Sequence, residues 1–334
     1  MTADVVHNVA VLGTGSVGMR HLNALVDLPS VQTCAIPIRP KKAHELRDKG
    51  YRTCADLPAA AAQGVTALIV ATDTSRHVED SLTALRMGLH VLVEKPLAVD
   101  ATEATKLRPV AAAAGRKVYV GCVLRFSDSL QLFRKWLPRA GRLHSVRIEC
   151  QSYLPDWRPD RPYQQSYSAR KGEGGVLRDL IHEIDYAGWL FGWPGAVQAR
   201  LRNLGRLQIE AEEIAELSWE TGNGAILSMS LDYLSRPPRR VMRVFGEHGT
   251  LEWDGIAQRV SWLAADDGSS EEKILSQTRD EMLVAQGRAF LHACTQENAE
   301  TTLADLEDGI KAIKICDAAR EASANHRETV IQYA

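Results

Sequence analysis

Sequence markers of metal, disulfide and membrane proteins are scarce in this chain. The six cysteines are scattered at Cys34, Cys54, Cys122, Cys150, Cys294 and Cys316. They form no Cys-x-x-Cys pair and no Cys/His spacing typical of zinc, so we expect neither a disulfide framework nor a metal site. No apolar run approaches the roughly 18–20 residues that cross a bilayer, and the N-terminus lacks the pattern of a signal peptide. A cytoplasmic protein with reduced thiols and no membrane partner is therefore expected.

The chain also has almost no net charge. Its 40 Lys and Arg residues against 42 Asp and Glu residues give −2, so it has no broad positive field to attract nucleic acid or an anionic membrane. Hydrophobic residues at 45% and charged residues at 25% are ordinary for a globular protein. A length of 334 residues predicts about two domains.

Residues 8–25, NVAVLGTGSVGMRHLNAL, predict a strand, a glycine-rich turn and a helix. In such a G-x-G-x-x-G turn, Gly13 permits the tight turn, Gly15 lets the backbone approach a pyrophosphate, and Gly18 lets the helix lie close to the sheet. The amides at the helix N-terminus then face the phosphates. The predicted cofactor-binding residues of this turn are Gly13, Thr14, Gly15, Ser16, Val17 and Gly18.

The second strand, VQTCAIPI, is followed by RPKK rather than by an acid. An NAD-preferring site usually places Asp or Glu there to bind the ribose hydroxyls. Arg39, Lys41 and Lys42 suit the 2′-phosphate of NADP instead. The same residues also fit the solvated basic start of a helix. We expect an NAD(P) cofactor, with NADP favoured.

Two further strands, ALIVAT and HVLV, alternate with the helix SRHVEDSLTALRMG. Short strand–helix–strand alternation predicts a parallel, doubly wound sheet, in which ligands bind at the carboxyl ends of the strands. Ala71 and Thr72 follow one strand, and Glu94 and Lys95 follow the other. All four are therefore predicted to face the cofactor.

Lys95 is followed by Pro96, which ends the strand and holds the lysine in an extended or turn conformation. A salt bridge at the strand end is the alternative explanation of a Lys-Pro pair. The predicted position beside the cofactor favours a functional lysine.

Beyond residue 126 the pattern changes to several strands with polar/apolar alternation, among them IAELSWE and AILSMSLDYL around the hairpin turn TGNG. They predict a mostly antiparallel, open sheet. We expect its open face, with Trp219, Leu227 and Met229, to form the interface of a homodimer or homotetramer.

The segment GGVLRDLIHEIDYAGWLFG predicts one helix, on which Asp179, His182 and Asp185 (or Tyr186) share a face. A histidine alone on a helix is more often structural. Carboxylates on its own face favour a catalytic role for His182. The preceding loop, residues 153–170, is rich in Tyr, Trp, Arg and Asp, which suits a polyhydroxylated ring as well as an ordinary surface loop.

Taken together, these motifs resemble the Gfo/Idh/MocA family of oxidoreductases. The resemblance rests on GTGSVGMRHL, ALIVATDTSRHVEDSLTAL, GLHVLVEKPLA, VGCVLRF, GEGGVLRDLIHEIDYAGWLFG and the C-terminal TTLADLEDGIKAIKICDAAREASANHRETV. It implies an N-terminal Rossmann domain, a C-terminal α/β domain with a large, mostly antiparallel open sheet, and NAD(P)-dependent chemistry at a carbinol carbon. It also implies catalytic roles for Lys95 and His182. The commoner family pattern has aspartate four residues before the histidine, where this chain has Arg178, so Asp179 is the expected orienting residue.

The predicted domains are 1–122, binding NAD(P), and 123–334, binding substrate and forming the oligomer, with a C-terminal helix at about 301–324. Beyond the glycine turn, the predicted cofactor-binding residues are Arg39, Ala71, Thr72, Asp73, His77, Glu94 and Lys95. The predicted substrate-binding residues are Arg125, Tyr153, Trp157, Tyr163, Asp179 and His182.

The predicted function is interconversion of a secondary hydroxyl and a ketone on a sugar, amino sugar, cyclitol or sugar derivative. Histidine, with a usual pKa near ~6.5, exchanges the hydroxyl proton, and the lysine stabilises the alkoxide. Two alternatives remain: a reductase of non-carbohydrate diols or ketones, and a non-catalytic dinucleotide-sensing protein.

Overall fold

A computed structural model describes residues 7–26, 28–159, 162–296 and 301–333 of the chain. Within this part, no helix is both long and apolar enough to cross a membrane.

The strands follow one another along the chain in short segments. They are β1 (His7–Leu12), β2 (Val31–Ile36), β3 (Ala67–Val70), β4 (His90–Val93), β5 (Val118–Val120), β6 (Leu143–Gln151), β7 (Ala196–Arg202), β8 (Ile214–Glu220), β9 (Ile226–Asp232), β10 (Arg239–Gly246), β11 (Gly249–Asp254), β12 (Arg259–Ala264), β13 (Ser270–Ile274), β14 (Ala304–Asp305) and β15 (Thr329–Val330).

The helices alternate with strands in the first part of the chain and are fewer in the second. They are α1 (Ser16–Val26), α2 (Pro40–Asp48), α3 (Leu57–Ala62), α4 (His77–Arg86), α5 (Ala101–Thr105), α6 (Leu107–Ala114), α7 (Asp128–Trp136), α8 (Val176–Asp179), α9 (Ile181–Phe191), α10 (Arg279–Thr295) and α11 (Leu306–Asn325).

The chain divides into two compact units. The first combines Met1–Phe126 with Thr278–Ile310, and the second combines Ser127–Gln277 with Lys311–Ala334. The functional domain boundary expected at 122/123 remains a prediction. The division into units shows that α10 belongs with the N-terminal residues. The C-terminal helix begins at Leu306, later than expected, because Ala304 and Asp305 pair with β5.

The first unit contains a six-stranded sheet in the order β14-β5-β4-β3-β1-β2, parallel except at β14. This confirms the predicted parallel, doubly wound sheet. Most residues of these strands are apolar, and Val9, Val11, Ile69 and Leu92 are fully buried, because helices cover parallel sheets on both faces. Strands β2 and β3 lie on opposite sides of β1. In doubly wound sheets, this reversal of strand order creates the crevice in which ligands bind.

Helix α10 completes the core of the first unit. A capping box between Thr278 and Glu281 starts the helix. Phe290 then packs, fully buried, with its ring at 6.2 Å from that of Tyr119 in an edge-to-face arrangement. Sequence periodicity did not assign this helix to the first unit.

The second unit contains a nine-stranded sheet in the order β13-β12-β11-β10-β6-β9-β8-β7-β15. Its described neighbours are antiparallel except for β6 and β9, which run parallel. The predicted TGNG turn joins β8 to β9, with Gly224 at φ +83°. The predicted open, mostly antiparallel sheet is therefore confirmed.

The prediction of which residues lie on the open face was wrong. Trp219, Leu227 and Met229 are 4%, 0% and 1% exposed, so they belong to the buried face. Side chains alternate along a strand, and the apolar set is the one that the chain's own helices cover. The other face carries polar residues such as Glu216 and Ser228.

Candidate active site

The carboxyl ends of the parallel strands are held in line by backbone hydrogen bonds. The amide of Gly13 donates to Ile36, that of Ala71 to Leu12, and that of Glu94 to Val70, at 3.0, 2.8 and 2.9 Å. The ends of β1, β2, β3 and β4 therefore meet at one edge of the sheet. The structure brings the predicted residues of the glycine turn, Ala71 and Glu94 together there.

Two of the three glycines are required by packing. Gly13 has φ +91°, and a Cβ there would lie 2.5 Å from the carbonyl oxygen of Ala71. A Cβ on Gly18 would lie 1.9 Å from the carbonyl oxygen of Gly13. Side chains at these positions would push apart the turn, the helix and the neighbouring strand end, as the glycine-turn argument predicts.

Gly15 has a different role, because a Cβ there would meet nothing within 4 Å. The glycine at this position is therefore not needed for packing within the chain. The amide of Met19 donates to Gly15 at 3.0 Å and makes the first bond of α1, which leaves the amides of Ser16, Val17 and Gly18 without acceptors inside the helix. Open space beside a helix N-terminus fits the pyrophosphate of a dinucleotide.

The end of β2 carries no acid, as the sequence indicated. Arg39 follows it, precedes α2 and is exposed. Lys42 is paired with Glu45 at 2.9 Å, whereas Arg39 makes no ion pair with the described residues. Of the predicted basic cluster, Arg39 thus has its charge available.

The loop after β3 is held by the buried side chain of His77. Its two ring nitrogens lie 2.8 Å from the carbonyl oxygen of Pro96 and 3.1 Å from that of Thr72. Burial lowers the pKa of His77, and the two carbonyls offset only part of this effect. His77 thus ties the β3 loop to the loop after β4. Asp73 is exposed, and cofactor binding by both residues stays a prediction.

Glu94 is buried and makes contacts through both carboxylate oxygens. One lies 2.6 Å from Nε2 of His21 on α1, and the other accepts a hydrogen bond from the amide of Lys95 at 3.3 Å. Burial alone would raise the pKa of Glu94, but His21, together with Lys95 and His77, holds it below its usual value. The sequence analysis did not identify His21. The available signal was its position three residues after Gly18, on the helix face turned to the sheet.

Lys95 is singled out by its accessibility. Residues 91–98 are all buried except Lys95, which is partly exposed. Lys95 is thus the one partly exposed residue in an otherwise buried stretch of the described chain. The bond from Lys95 to Pro96 is a cis peptide.

Close backbone contacts at Gly174 and Gly175 fix the start of the segment that carries His182. The amide of Gly175 donates to Ser168 at 3.1 Å, and the amide of Val176 donates to Glu212 at 3.2 Å. A Cβ on Gly174 would lie 2.2 Å from the carbonyl oxygen of Tyr167. The start of the helical segment is therefore fixed against two neighbouring loops.

The single predicted helix is in fact two. Helix α8 ends at Asp179, Leu180 has φ −96° and ψ +30°, and α9 begins at Ile181. Of the predicted set, His182 and Asp185 (or Tyr186) therefore lie on one helix, whereas Asp179 belongs to α8. The sequence has no Gly or Pro at this point that would predict the break.

His182 resembles Lys95 in its accessibility. Residues 174–188 are all buried except His182, which is partly exposed. The neighbouring Glu183 is fully buried and accepts a hydrogen bond from Arg240 of β10 at 2.8 Å. This ion pair, between buried Glu183 and partly exposed Arg240, ties α9 to β10 next to His182.

Asp179 is buried and lies beside two tyrosines. Tyr233 donates a 2.6 Å hydrogen bond to its Oδ2. Burial, the charge of Asp179 and a hydrogen bond to Asp179 raise the pKa of both Tyr233 and Tyr167 well above the usual value. Both phenols therefore stay protonated as donors. The sequence analysis predicted neither tyrosine. Tyr233 is distant from Asp179 in the sequence, and Tyr167 lies in an irregular loop.

Described residues of the predicted substrate loop contact neighbouring segments; Asp160 and Arg161 of this loop lie outside the described residues. Trp157 donates to Ser152 at 2.8 Å, and Tyr163 donates to the carbonyl oxygen of Leu207 at 3.2 Å. The ring of Tyr153 lies 3.5 Å from the guanidinium of Arg236. Substrate binding by the loop stays a prediction.

Arg125 differs from the other predicted substrate-binding residues. It is 2% exposed and forms an ion pair with Asp308 at 2.9 Å inside the first unit. Its charge is thus already balanced, and its substrate role stays a prediction.

These features define a dinucleotide-binding Rossmann unit followed by a unit built on an open sheet. In agreement with this, residues 7–122 match the oxidoreductase family with an NAD-binding Rossmann fold, and residues 138–252 match the GFO/IDH/MocA C-terminal domain. The chain belongs to the GFO/IDH/MocA family and is an NAD(P)-dependent oxidoreductase. The resemblance seen in the sequence is confirmed.

Individual relatives are distant. The chain is 26% identical over 240 residues to UDP-N-acetylglucosamine 3-dehydrogenase of Acidithiobacillus ferrooxidans, covering 70% of each chain. It is 27% identical over 243 residues to 4-carboxy-2-hydroxymuconate-6-semialdehyde dehydrogenase of a Sphingobium species, covering 69% of this chain and 73% of that one. The fold is similar to that of levoglucosan dehydrogenase solved with NADH and levoglucosan, with a TM-score of 0.88 at 19% identity over 98% and 100% of the two chains.

Proposed function

We propose that this oxidoreductase interconverts a secondary hydroxyl and a ketone on a sugar, amino sugar, cyclitol or sugar derivative. The observation that carries the proposal is the accessibility of Lys95 and His182. Each is the partly exposed residue of a stretch that is otherwise buried. The relatives named for UDP-N-acetylglucosamine and levoglucosan support the substrate class.

The chemistry requires a proton transfer coupled to a hydride transfer. When bound, the nicotinamide accepts or supplies the hydride. We propose that His182 removes the hydroxyl proton as the ketone forms and returns it in the reverse direction. The ammonium group of Lys95 donates a hydrogen bond to the same oxygen and stabilises its developing negative charge. Asp179 orients the imidazole of His182 and stabilises its protonated form.

A substrate panel tests this function. The purified protein is incubated with NAD or NADP and with free sugars, amino sugars, cyclitols, sugar nucleotides and non-carbohydrate diols, and nicotinamide absorbance is followed. Turnover of a carbohydrate or cyclitol above the diols supports the proposal. Preference for a non-carbohydrate diol would instead favour a reductase of non-carbohydrate diols or ketones. Cofactor binding without turnover of any compound would favour a dinucleotide-sensing protein.

We further propose that NADP binds at least as tightly as NAD. Arg39 is exposed, lies three residues after the end of β2 and has no ion-pair partner among the described residues, so its guanidinium is available to a 2′-phosphate. Replacing Arg39 by Ala should weaken NADP binding by about tenfold and leave NAD binding nearly unchanged. Fluorescence titration with both cofactors measures this, and Arg47→Ala, an exposed arginine of the same helix, is the control. Tenfold tighter binding of NAD than of NADP, unaffected by Arg39→Ala, would contradict the proposal.

We propose that the chain forms a homodimer or homotetramer through the open face of the nine-stranded sheet. Strand register places Ile226, Leu263 and Ile274 on this face, and they are 61%, 52% and 71% exposed. Large aliphatic side chains exposed on one sheet face suit an interface.

Light scattering at micromolar concentration should therefore give at least twice the monomer mass. Replacing both Ile226 and Leu263 by Lys should reduce that mass to the monomer, because charges would then be buried at the interface. The control is Ile256→Lys, which alters an apolar residue of a turn, 55% exposed. A wild-type protein that is monomeric under these conditions refutes the interface.

A further inference from the structure

The hydroxyl of Tyr233 and the carboxylate of Asp179 form a short, fully enclosed hydrogen bond. The distance from Oη to Oδ2 is 2.6 Å, and the two residues are 0% and 3% exposed. A buried carboxylate is costly unless donors replace its lost water. A hydrogen bond from a phenol to an ionised carboxylate is stronger than a hydrogen bond between two neutral groups.

Asp179 is the last residue of α8, and the backbone leaves helical geometry at Leu180. The hydrogen bond from Tyr233 to its carboxylate therefore comes from outside the helix, from a residue 54 positions along the chain.

Tyr233 is held on several sides. Its amide donates to Glu213 at 2.9 Å, and its carbonyl accepts from Leu154 at 3.0 Å. Its ring meets the ring of Trp157 edge to face at 5.5 Å. The phenol is thus a rigid donor at the end of β9, and Trp157 connects it to the proposed substrate loop.

We propose that Tyr233 is a positioning residue for the reaction: it sets the orientation of Asp179, which in turn orients His182. The inference rests on the proposed function, in which Asp179 supports the histidine. Because Tyr233 is fully buried, it acts through Asp179 and does not need to touch the substrate. Tyr167 contributes a second phenol to the same carboxylate.

The test is Tyr233→Phe, which removes one oxygen and keeps the ring. Loss of a hydrogen bond to a charged group should lower kcat by about tenfold. The Kd of the cofactor and the KM of the substrate should stay within about twofold, because Tyr233 is 0% exposed. A purely structural tyrosine would not produce this split between kcat and the binding constants.

A matched control lies on the neighbouring helix. Tyr186 is also 0% exposed and packs edge to face on Trp253 at 5.5 Å, but its hydroxyl has no hydrogen-bond partner among the described residues. Tyr186→Phe should leave kcat unchanged, since no bond is lost. Thermal melting of both variants separates lost activity from lost folding. If Tyr233→Phe does not fold, Tyr167→Phe provides the same kcat measurement on the second phenol.

A double-variant cycle with Asp179→Asn decides between the possible outcomes. If Tyr233 acts through Asp179, the combined loss in kcat is smaller than the product of the two single losses. Full multiplication of the losses, or a wild-type kcat in Tyr233→Phe, overturns the inference. An unaffected kcat in Asp179→Asn instead overturns the role of Asp179 in the proposed function, so the two failures are distinguishable.

Discussion

Replacing Lys95 by Ala should lower kcat by about 100- to 1,000-fold, because a charge-assisted hydrogen bond to the developing alkoxide is lost. The bond strengthens as negative charge grows on the substrate oxygen, so its loss affects the transition state more than the ground state. The Kd of the cofactor should change far less, since the open space for the pyrophosphate lies at Gly15 and the start of α1. Steady-state kinetics with the best substrate of the panel and a cofactor titration measure both quantities.

The control for this variant is Lys106→Ala. Lys106 is an exposed lysine of the same unit that pairs with Glu103 three residues earlier, a contact of little energetic consequence. It should retain wild-type kcat and Kd. Near-normal turnover in Lys95→Ala would mean that the amine at the end of β4 is structural, and the proposed mechanism would then lose its electrostatic component.

The second large effect is expected for His182→Ala. Loss of the general acid–base should lower kcat by about 100- to 10,000-fold, and added imidazole should restore part of the activity by supplying a diffusing base. His144→Ala, which removes an exposed histidine of the same unit, should leave kcat unchanged and show no response to imidazole. Initial rates across a series of imidazole concentrations at constant ionic strength make this measurement.

Combining the two variants adds a further constraint. Lys95 and His182 are proposed to act on one oxygen, so the double variant should lose less than the product of the single losses. A full multiplicative loss would indicate independent roles. Wild-type kcat in His182→Ala would show that another group, or water, transfers the proton.

Much of the first unit was predictable from local sequence. The turn around Gly13 and Gly18 requires residues without a Cβ, and the strand at His90–Val93 is apolar and ended by Pro96, so both features are encoded within a few residues. The positions of Lys95 and the glycine turn at one edge then follow from the parallel arrangement of the strands. The family resemblance implied the fold of the second unit. The alternation of polar and apolar residues also indicated its strands.

Contacts between distant parts of the chain were not predictable in this way. His21 meets Glu94 across 73 residues, and Tyr233 meets Asp179 across 54. Local periodicity carries no information about such pairs, because it describes only which residues share a face of one element. The same limitation explains why α10, remote in sequence, was not assigned to the first unit.

By itself, the sequence determined the class of fold and the dinucleotide turn, because each depends on short-range steric and hydrophobic patterns. Only the tertiary structure decided which face of the open sheet is buried: alternation separates Trp219 from Glu216, but the covering helices select between the two faces. It also decided that the helix breaks after Asp179, at a point where the sequence contains no Gly or Pro. Local preferences are small in energy, and burial and hydrogen bonding in the folded chain outweigh them.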